Sequence, residues 1–316
     1  MRENNNIEEV HDMYKGLGVH HVGIGVEKLD EMKPFYRDIL GFNNTLIEFG
    51  DSPQEMMETV VKTRPVYFSM VMFNQEPDGV LVELAQMSKP VPRAIRRDFR
   101  YGDIGAAKIT MVVKDVHSAY EELKGKVKFC SGPKSAVIPG WGDYRFVYCK
   151  DPGGNLIEFI SGADLQPKNR FCDFRCVGIS VTSLARSMDF YRNYLGFNKV
   201  VIETHEGFSG LVDEISGSAG TQVRSCVLAN SRGGGMVELF EVTGPRGRSI
   251  PFGTIWGDFG YLQTCLYCEN IAEIVPAYLD QGIEPVSDFV VNEDASFIYL
   301  KDPDGIPVEL LLIHNG

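Results

Sequence analysis

The chain repeats itself, and that repeat limits what it can fold into. Phe35-Tyr36-Arg37-Asp38-Ile39-Leu40-Gly41-Phe42-Asn43 returns as Phe190-Tyr191-Arg192-Asn193-Tyr194-Leu195-Gly196-Phe197-Asn198, and KDPGGNLIEFI at 150–160 returns as KDPDGIPVELL at 301–311. A second offset runs inside each half: Val26 matches Val113, and Val181 matches Cys268. The 316 residues are therefore four copies of one unit in two similar halves, the pattern of a multiplied supersecondary unit. The expected organisation is a polar lead-in at 1–16, a first half at 17–160, a polar linker at 161–170 and a second half at 171–316.

Each unit opens with an alternating apolar strand: VHHVGIGV at 19–26, AKITMVV at 107–113, RCVGISV at 175–181 and LQTCLYC at 262–268. An amphipathic helix follows. Met32, Phe35, Tyr36, Ile39 and Leu40 keep the 3.6-residue period, Gly41 sits at the C-terminal cap position, and Pro34 is expected in the early turn where a helix tolerates it. Strand-like stretches around 45–49, 66–73 and 79–85 complete unit one. The last, GVLVELA, has equivalents in NLIEFI, GMVELFE and PVELLLI. The unit reads βαβββ, so the fold class is α+β.

Composition narrows the partners. With 31 basic and 43 acidic residues the net charge is −12. Such a chain is a poor ligand for a phosphate backbone or an anionic membrane. No apolar run approaches the ~20 residues of a membrane span, and the N-terminus lacks the apolar core of a secretory signal. Seven scattered cysteines suit free thiols in a reducing cytoplasm. Cys265 and Cys268 form a CxxC within a strand, where positions i and i+3 face opposite ways, so they read as small core residues.

Side chains alternate along a strand, so His21 shares a face with Gly23 and Gly25, opposite Val22, Ile24 and Val26. Glu83 likewise lies opposite Val82 and Leu84. A carboxylate in mid-strand is costly to bury unless paired or metal-bound, yet it occurs four times, at Glu83, Glu158, Glu238 and Glu309. Paired βαβββ units, FYxxxLGF-type helices and DPxGxxxE closing strands resemble the vicinal oxygen chelate superfamily, which includes glyoxalase I, methylmalonyl-CoA epimerase, extradiol dioxygenases and bleomycin-resistance proteins. The resemblance spans about residues 17–313. It implies mixed sheets curled into cups, each formed by two units, with ligands from first and last strands around one divalent metal.

Carried over by position, the first-strand residues are His21, Lys108, Cys176 and Gln263, and the last-strand residues are the four glutamates. Pairing units within each half puts an unsuitable member in both cups, since an ammonium has no lone pair and a thiolate is unusual among hard oxygens. Pairing unit one with four collects His21, Glu83, Gln263 and Glu309; Lys108, Glu158, Cys176 and Glu238 then form a degenerate second cup. We expect this crossed arrangement, with one divalent ion (Zn, Mn, Fe, Co or Ni) in the first cup.

The resemblance then implies a glyoxalase- or epimerase-type isomerase or lyase. It would stabilise an enediolate or enolate of a small substrate with vicinal oxygens, with Glu309 as first choice of base and Glu83 as second. An extradiol-type dioxygenase is the alternative, weakened because such iron sites use two histidines and a carboxylate. A non-catalytic small-molecule-binding protein is another. Glu48 reads as a solvated strand residue or an opposing base, Tyr261 and Tyr267 as candidates to line the cup, and His20 as structural. His11, His117, His205 and His314 show no register with the site. A monomer or homodimer is expected.

Overall fold

The computed structural model describes residues 14–162, 165–168 and 171–314. The lead-in through residue 13, with His11, and part of the linker lie outside the described residues. Unit one contains β1 (Gly16–Gly25), β2 (Asn44–Pro53), β3 (Tyr67–Asn74) and β4 (Leu81–Lys89). Unit two contains β5 (Gly105–Val113), the short β6 (Lys128–Phe129) and β7 (Lys134–Ile138), then β8 (Gly142–Lys150) and β9 (Leu156–Gly162). Unit three contains β10 (Cys172–Ser180), β11 (Lys199–Gly207), β12 (Gln222–Ala229) and β13 (Met236–Gly244). Unit four contains β14 (Gly260–Cys268), β15 (Val290–Val291), β16 (Ala295–Lys301) and β17 (Pro307–Ile313).

The strands form two mixed sheets, and the units are crossed between them. One eight-stranded sheet runs β15-β16-β17-β14-β1-β4-β3-β2, joining units four and one; the nine-stranded sheet runs β11-β12-β13-β10-β5-β9-β8-β6, with β7 on β8. At each centre two opening strands meet antiparallel, β1 with β14 and β10 with β5, and each opening strand pairs in parallel with the closing strand of its own unit. Segments 90–104 and 245–259 carry the chain between sheets and brace each other. Phe259 N donates to the Arg93 carbonyl at 2.8 Å, and Ile104 N to the Arg248 carbonyl at 2.9 Å. Arg248 grips buried Asp103 with two nitrogens at 2.8 and 2.7 Å, the fork-to-fork geometry that fixes a guanidinium most firmly.

Four helices cross the sheets: α1 (Leu29–Pro34), α2 (Val116–Leu123), α3 (Leu184–Asn193) and α4 (Ile271–Asp280). Pro34 is not in the first turn. It ends α1, and the chain continues through a widened π turn, Phe35–Ile39, whose closing bond runs from Leu40 N to the Phe35 carbonyl. Proline supplies no N–H and crowds the carbonyl four residues back, so the turn opens. In α3 the equivalent residue is Asp189, and that helix stays regular. Gly41 and Gly196 take φ of +77° and +70° at the helix ends, as the cap position requires.

Parity sorts the apolar residues. Val22, Ile24, Val82 and Leu84 join Val177, Ile179, Tyr36, Tyr191 and Ile274 in one cluster that links both sheets with the helices. Smaller clusters occupy the opposite faces: Phe68, Ala85, Met87, Trp256, Phe297 and Tyr299 on the first sheet, and Tyr101, Tyr144, Phe146, Tyr148, Ile160 and Phe240 on the second. The charged strand residues lie on these faces.

Candidate metal centre

The crossed sheet brings His21, Glu83, Gln263 and Glu309 together. Gly23 stands beside Glu83 on one side and Gln263 on the other, while Cys265 stands between His21 and Glu309. All four side chains are buried, at 3, 6, 0 and 6% exposure. His21 Nε2 lies 3.3 Å from Glu309 Oε2 and 3.7 Å from Glu83 Oε2, and Gln263 Nε2 faces Glu83 Oε1 at 3.4 Å. A Cβ on Gly23 would come within 2.5 Å of the Gln263 carboxamide, so only glycine leaves it room.

The second cup is built from the same positions and is closed. Lys108 Nζ lies 2.5 Å from Glu158 Oε2, 2.9 Å from Glu238 Oε2 and 3.3 Å from the Tyr148 hydroxyl. Glu158 also accepts from Tyr148 at 2.7 Å, Tyr144 at 3.0 Å and Thr110 at 2.8 Å. Gly178 repeats the role of Gly23, since its Cβ would meet the Lys108 stem at 2.5 Å. Burial alone would drive the Lys108 ammonium toward neutrality, but Glu158 and Glu238 outweigh it and hold its pKa well above the ordinary value. The cation here is part of the chain.

In the first cup the contacts are longer than the ~2.7–2.9 Å of charge-assisted hydrogen bonds. The groups are arranged around a centre rather than against each other. Three ligand-type atoms, His21 Nε2, Gln263 Oε1 and Glu309 Oε2, are buried with no hydrogen-bond partner. Burial pushes Glu83 up to about 7, against the lowering pull of His21. Burial also depresses His21, but the neighbouring Glu309 carboxylate, with Glu83, raises it overall. Two carboxylates, an imidazole and an amide oxygen around unsatisfied lone pairs fit a divalent cation of the borderline-to-hard class.

His20 sits on the same side as His21, against simple alternation. Val19 pairs with Leu266 and His21 with the next residue, Cys265, so β1 carries an extra residue there. A bulge of this kind turns two successive side chains to one side. His20 Nδ1 lies 3.0 Å from His21 Nδ1. Burial, with His21 alongside, holds the His20 pKa down to about 3, so His20 is neutral, and a metal on His21 Nε2 would need the His21 proton on Nδ1, donated to His20 Nδ1. That leaves His21 Nε2 for the centre. The bulge recurs at Arg175 in β10.

His20, His21 and Cys265 also place one ligand-type atom each within 4.8 Å of one another. Burial and Glu309 hold the Cys265 thiol well above its ordinary value, hence protonated, which makes it a weaker donor than the carboxylates. Cys265 beside the site was missed because its strand reads as core; Cys268 is buried away from it, as alternation requires. A further bulge at Leu262 turns Tyr261 away, to bond the Leu156 carbonyl at 2.9 Å. Tyr267 packs near His20 instead. Glu48 is exposed and pairs with Lys33 at 2.7 Å, outside the cup. His117 is exposed, His314 bonds Ser296, and His205 lines a small pocket beside Glu238 and Cys176 in the second cup.

The model of the Glyoxalase/Bleomycin resistance protein/Dioxygenase superfamily matches residues 18–159 and again 174–310. The chain belongs to that superfamily. Among solved structures it resembles two variants of glyoxalase I from Zea mays. Both are 18% identical, with TM-scores of 0.63 and 0.61; one match covers 94% of each chain and the other 97% of this chain and 96% of that one. It also resembles a putative dioxygenase from Bacillus subtilis, 14% identical with a TM-score of 0.58, over 96% of this chain and 87% of that one. At these identities the likeness establishes the glyoxalase/dioxygenase fold alone. No curated protein matches the chain. Among the described residues no helix is long and apolar enough to cross a membrane.

Proposed function

We propose that this superfamily member is a divalent-metal-dependent enzyme of the glyoxalase or epimerase type, acting on a small molecule with adjacent oxygens, with His21, Glu83, Gln263 and Glu309 as the metal ligands. The observation that carries the reading is the set of three buried, unpartnered ligand atoms, of His21, Gln263 and Glu309, gathered with the Glu83 carboxylate at the β1–β14 seam. A divalent ion bound there would supply Lewis acidity to two adjacent substrate oxygens and so acidify the neighbouring C–H. The chain's own groups do the rest. Glu309 Oε2, without a hydrogen-bond partner, takes the proton from carbon and returns it to the same or the adjacent carbon, general base catalysis of the kind worth ~10²–10⁴-fold. Glu83, on the other side of His21, is the second candidate for that proton. Gln263 contributes a neutral oxygen, which limits the negative charge around the centre.

The extradiol-type reading needs a second histidine at the centre. His20 meets the Nδ1 of His21 rather than joining Nε2, so the isomerase or lyase reading is preferred. The test is elemental analysis of purified protein and of the His21→Ala and Gln263→Ala variants. About one divalent ion per chain, lost or strongly weakened in both variants, supports the crossed centre. A wild type that retains no ion even when supplied with one overturns it.

A further inference from the structure

A cavity of about 80 Å³ lies behind Tyr299, next to the first cup. Two of its lining residues flank the site: Tyr299 lies directly across from Glu309, and Pro307 is the next residue along the same face of β17. Its roof is the braced pair of crossing segments, 93–104 and 250–259. Most of the lining is apolar, and its one guanidinium is already engaged. Arg96 points Nε at buried Asp103, 3.5 Å away, and Nη2 at the Arg248 carbonyl at 3.1 Å and the Ser249 carbonyl. Asn155 and Tyr261 already donate to Asp151 and the Leu156 carbonyl, and Thr254 and Tyr299 add hydroxyls to the wall; Trp256 is the lining residue with a buried, unpartnered donor. This indole is 8% exposed, is held at 4.7 Å from the Phe68 ring, and its Nε1 is buried without an acceptor.

A buried indole N–H without an acceptor is destabilising until something accepts from it. The lining offers no free charge to hold an anionic tail. Resting on the metal-centre reading above, we infer that the substrate joins its vicinal-oxygen head to an uncharged apolar body, aromatic or branched alkyl, that fills this cavity and accepts a hydrogen bond from Trp256 Nε1. Phosphate-bearing, nucleotide-bearing or carboxylate-rich substrates are thereby disfavoured.

The test uses the full chain stripped of metal, so that its outcome does not depend on the metal reading. Acetophenone, a flat aromatic ketone, is compared with isopropylbenzene, which has the same shape without the acceptor, and with inorganic phosphate, by calorimetric titration. The expected result is that both aromatic probes bind, that acetophenone binds more tightly, and that phosphate does not compete. Trp256→Phe should weaken acetophenone about fivefold, the ~1 kcal/mol of one neutral hydrogen bond, and leave isopropylbenzene unchanged. Because Trp141 is the only other tryptophan, a Trp141→Phe variant turns Trp256 into a single reporter, so contact quenching by acetophenone at the calorimetric affinity places the probe without altering the cavity. No quenching in that variant, equal loss of both aromatic probes in Trp256→Phe, or competition by phosphate overturns the inference. Success here with no metal bound in the elemental analysis would sink the metal centre and leave the cavity standing.

Discussion

If Lys108 stands in for a metal, the second cup should become a metal site when its residues are changed to those of the first. The perturbation is Lys108→Gln with Cys176→His, which copies Gln263 and His21 onto their register equivalents beside Glu158 and Glu238. Lys108→Gln alone removes the cation from two buried carboxylates. The Tyr144, Tyr148 and Thr110 hydroxyls bond Glu158, so Glu238 bears most of the loss. Breaking a buried ion pair by removing one partner costs about 3–5 kcal/mol, a fall in Tm of roughly 5–15 °C for a chain of this size. In the double variant, a divalent ion at about one hundred times its Kd would restore about 2.7 kcal/mol. Scanning calorimetry with and without Mn or Zn reads the rescue, and elemental analysis reads the second equivalent. A single variant as stable as the wild type would refute the role of Lys108. A double variant that gains neither stability nor a second ion, while the wild type holds one, would refute the equivalence of the two ligand sets.

Gly23→Ala keeps every ligand but drives a methyl into the Gln263 carboxamide; it should lower metal affinity at least tenfold and cost about 1–3 kcal/mol of stability, read by metal titration and urea denaturation. His20→Phe removes the ring nitrogen that meets His21 Nδ1 and should weaken metal binding about 10–100-fold with the fold intact by circular dichroism; unchanged affinity would show that His20 orients nothing. Burial raises Glu238 despite Lys108 beside it, so the native state binds its proton more readily than the unfolded chain does. Its contribution to stability is then complete below the ordinary carboxylate range and is lost as pH rises through the raised value. The stability of the wild type relative to Glu238→Gln should therefore decline from acid to neutral pH in urea melts, and a rise would contradict the assignment.

Most of the site was legible because it rests on two exact periodicities, alternation along strands and the register between copies. Those put each of His21, Glu83, Gln263 and Glu309 on the face away from its strand's core residues; the crossed pairing that gathers them rested on the superfamily resemblance and on donor chemistry, and the β1–β14 sheet brings the four together. What they missed has local causes. A bulge breaks alternation without any compositional mark, so His20 arrives beside His21 and Tyr261 leaves the face of Gln263. Pro34 was placed a turn too early, because the same apolar period fits a π turn after it as well as an α turn. The cavity beside the site comes from segments 93–104 and 250–259, which have no period to read and are shaped by contacts with each other.

The two cups show why one duplicated frame keeps a single candidate centre. Gly23 and Gly178 make the same room, and Gln263 and Lys108 enter it from the same register position. An amide leaves the central charge deficit open, whereas an ammonium fills it with a tethered cation. That ammonium has three N–H groups, and Glu158, Glu238 and Tyr148 engage all three. No donor is left to polarise a substrate oxygen, and no lone pair is available to hold an ion. The second sheet therefore satisfies its buried carboxylates without a ligand. In the first, His21 Nε2, Gln263 Oε1 and Glu309 Oε2 stay unpartnered beside Glu83, a free-energy cost that a bound divalent cation would offset.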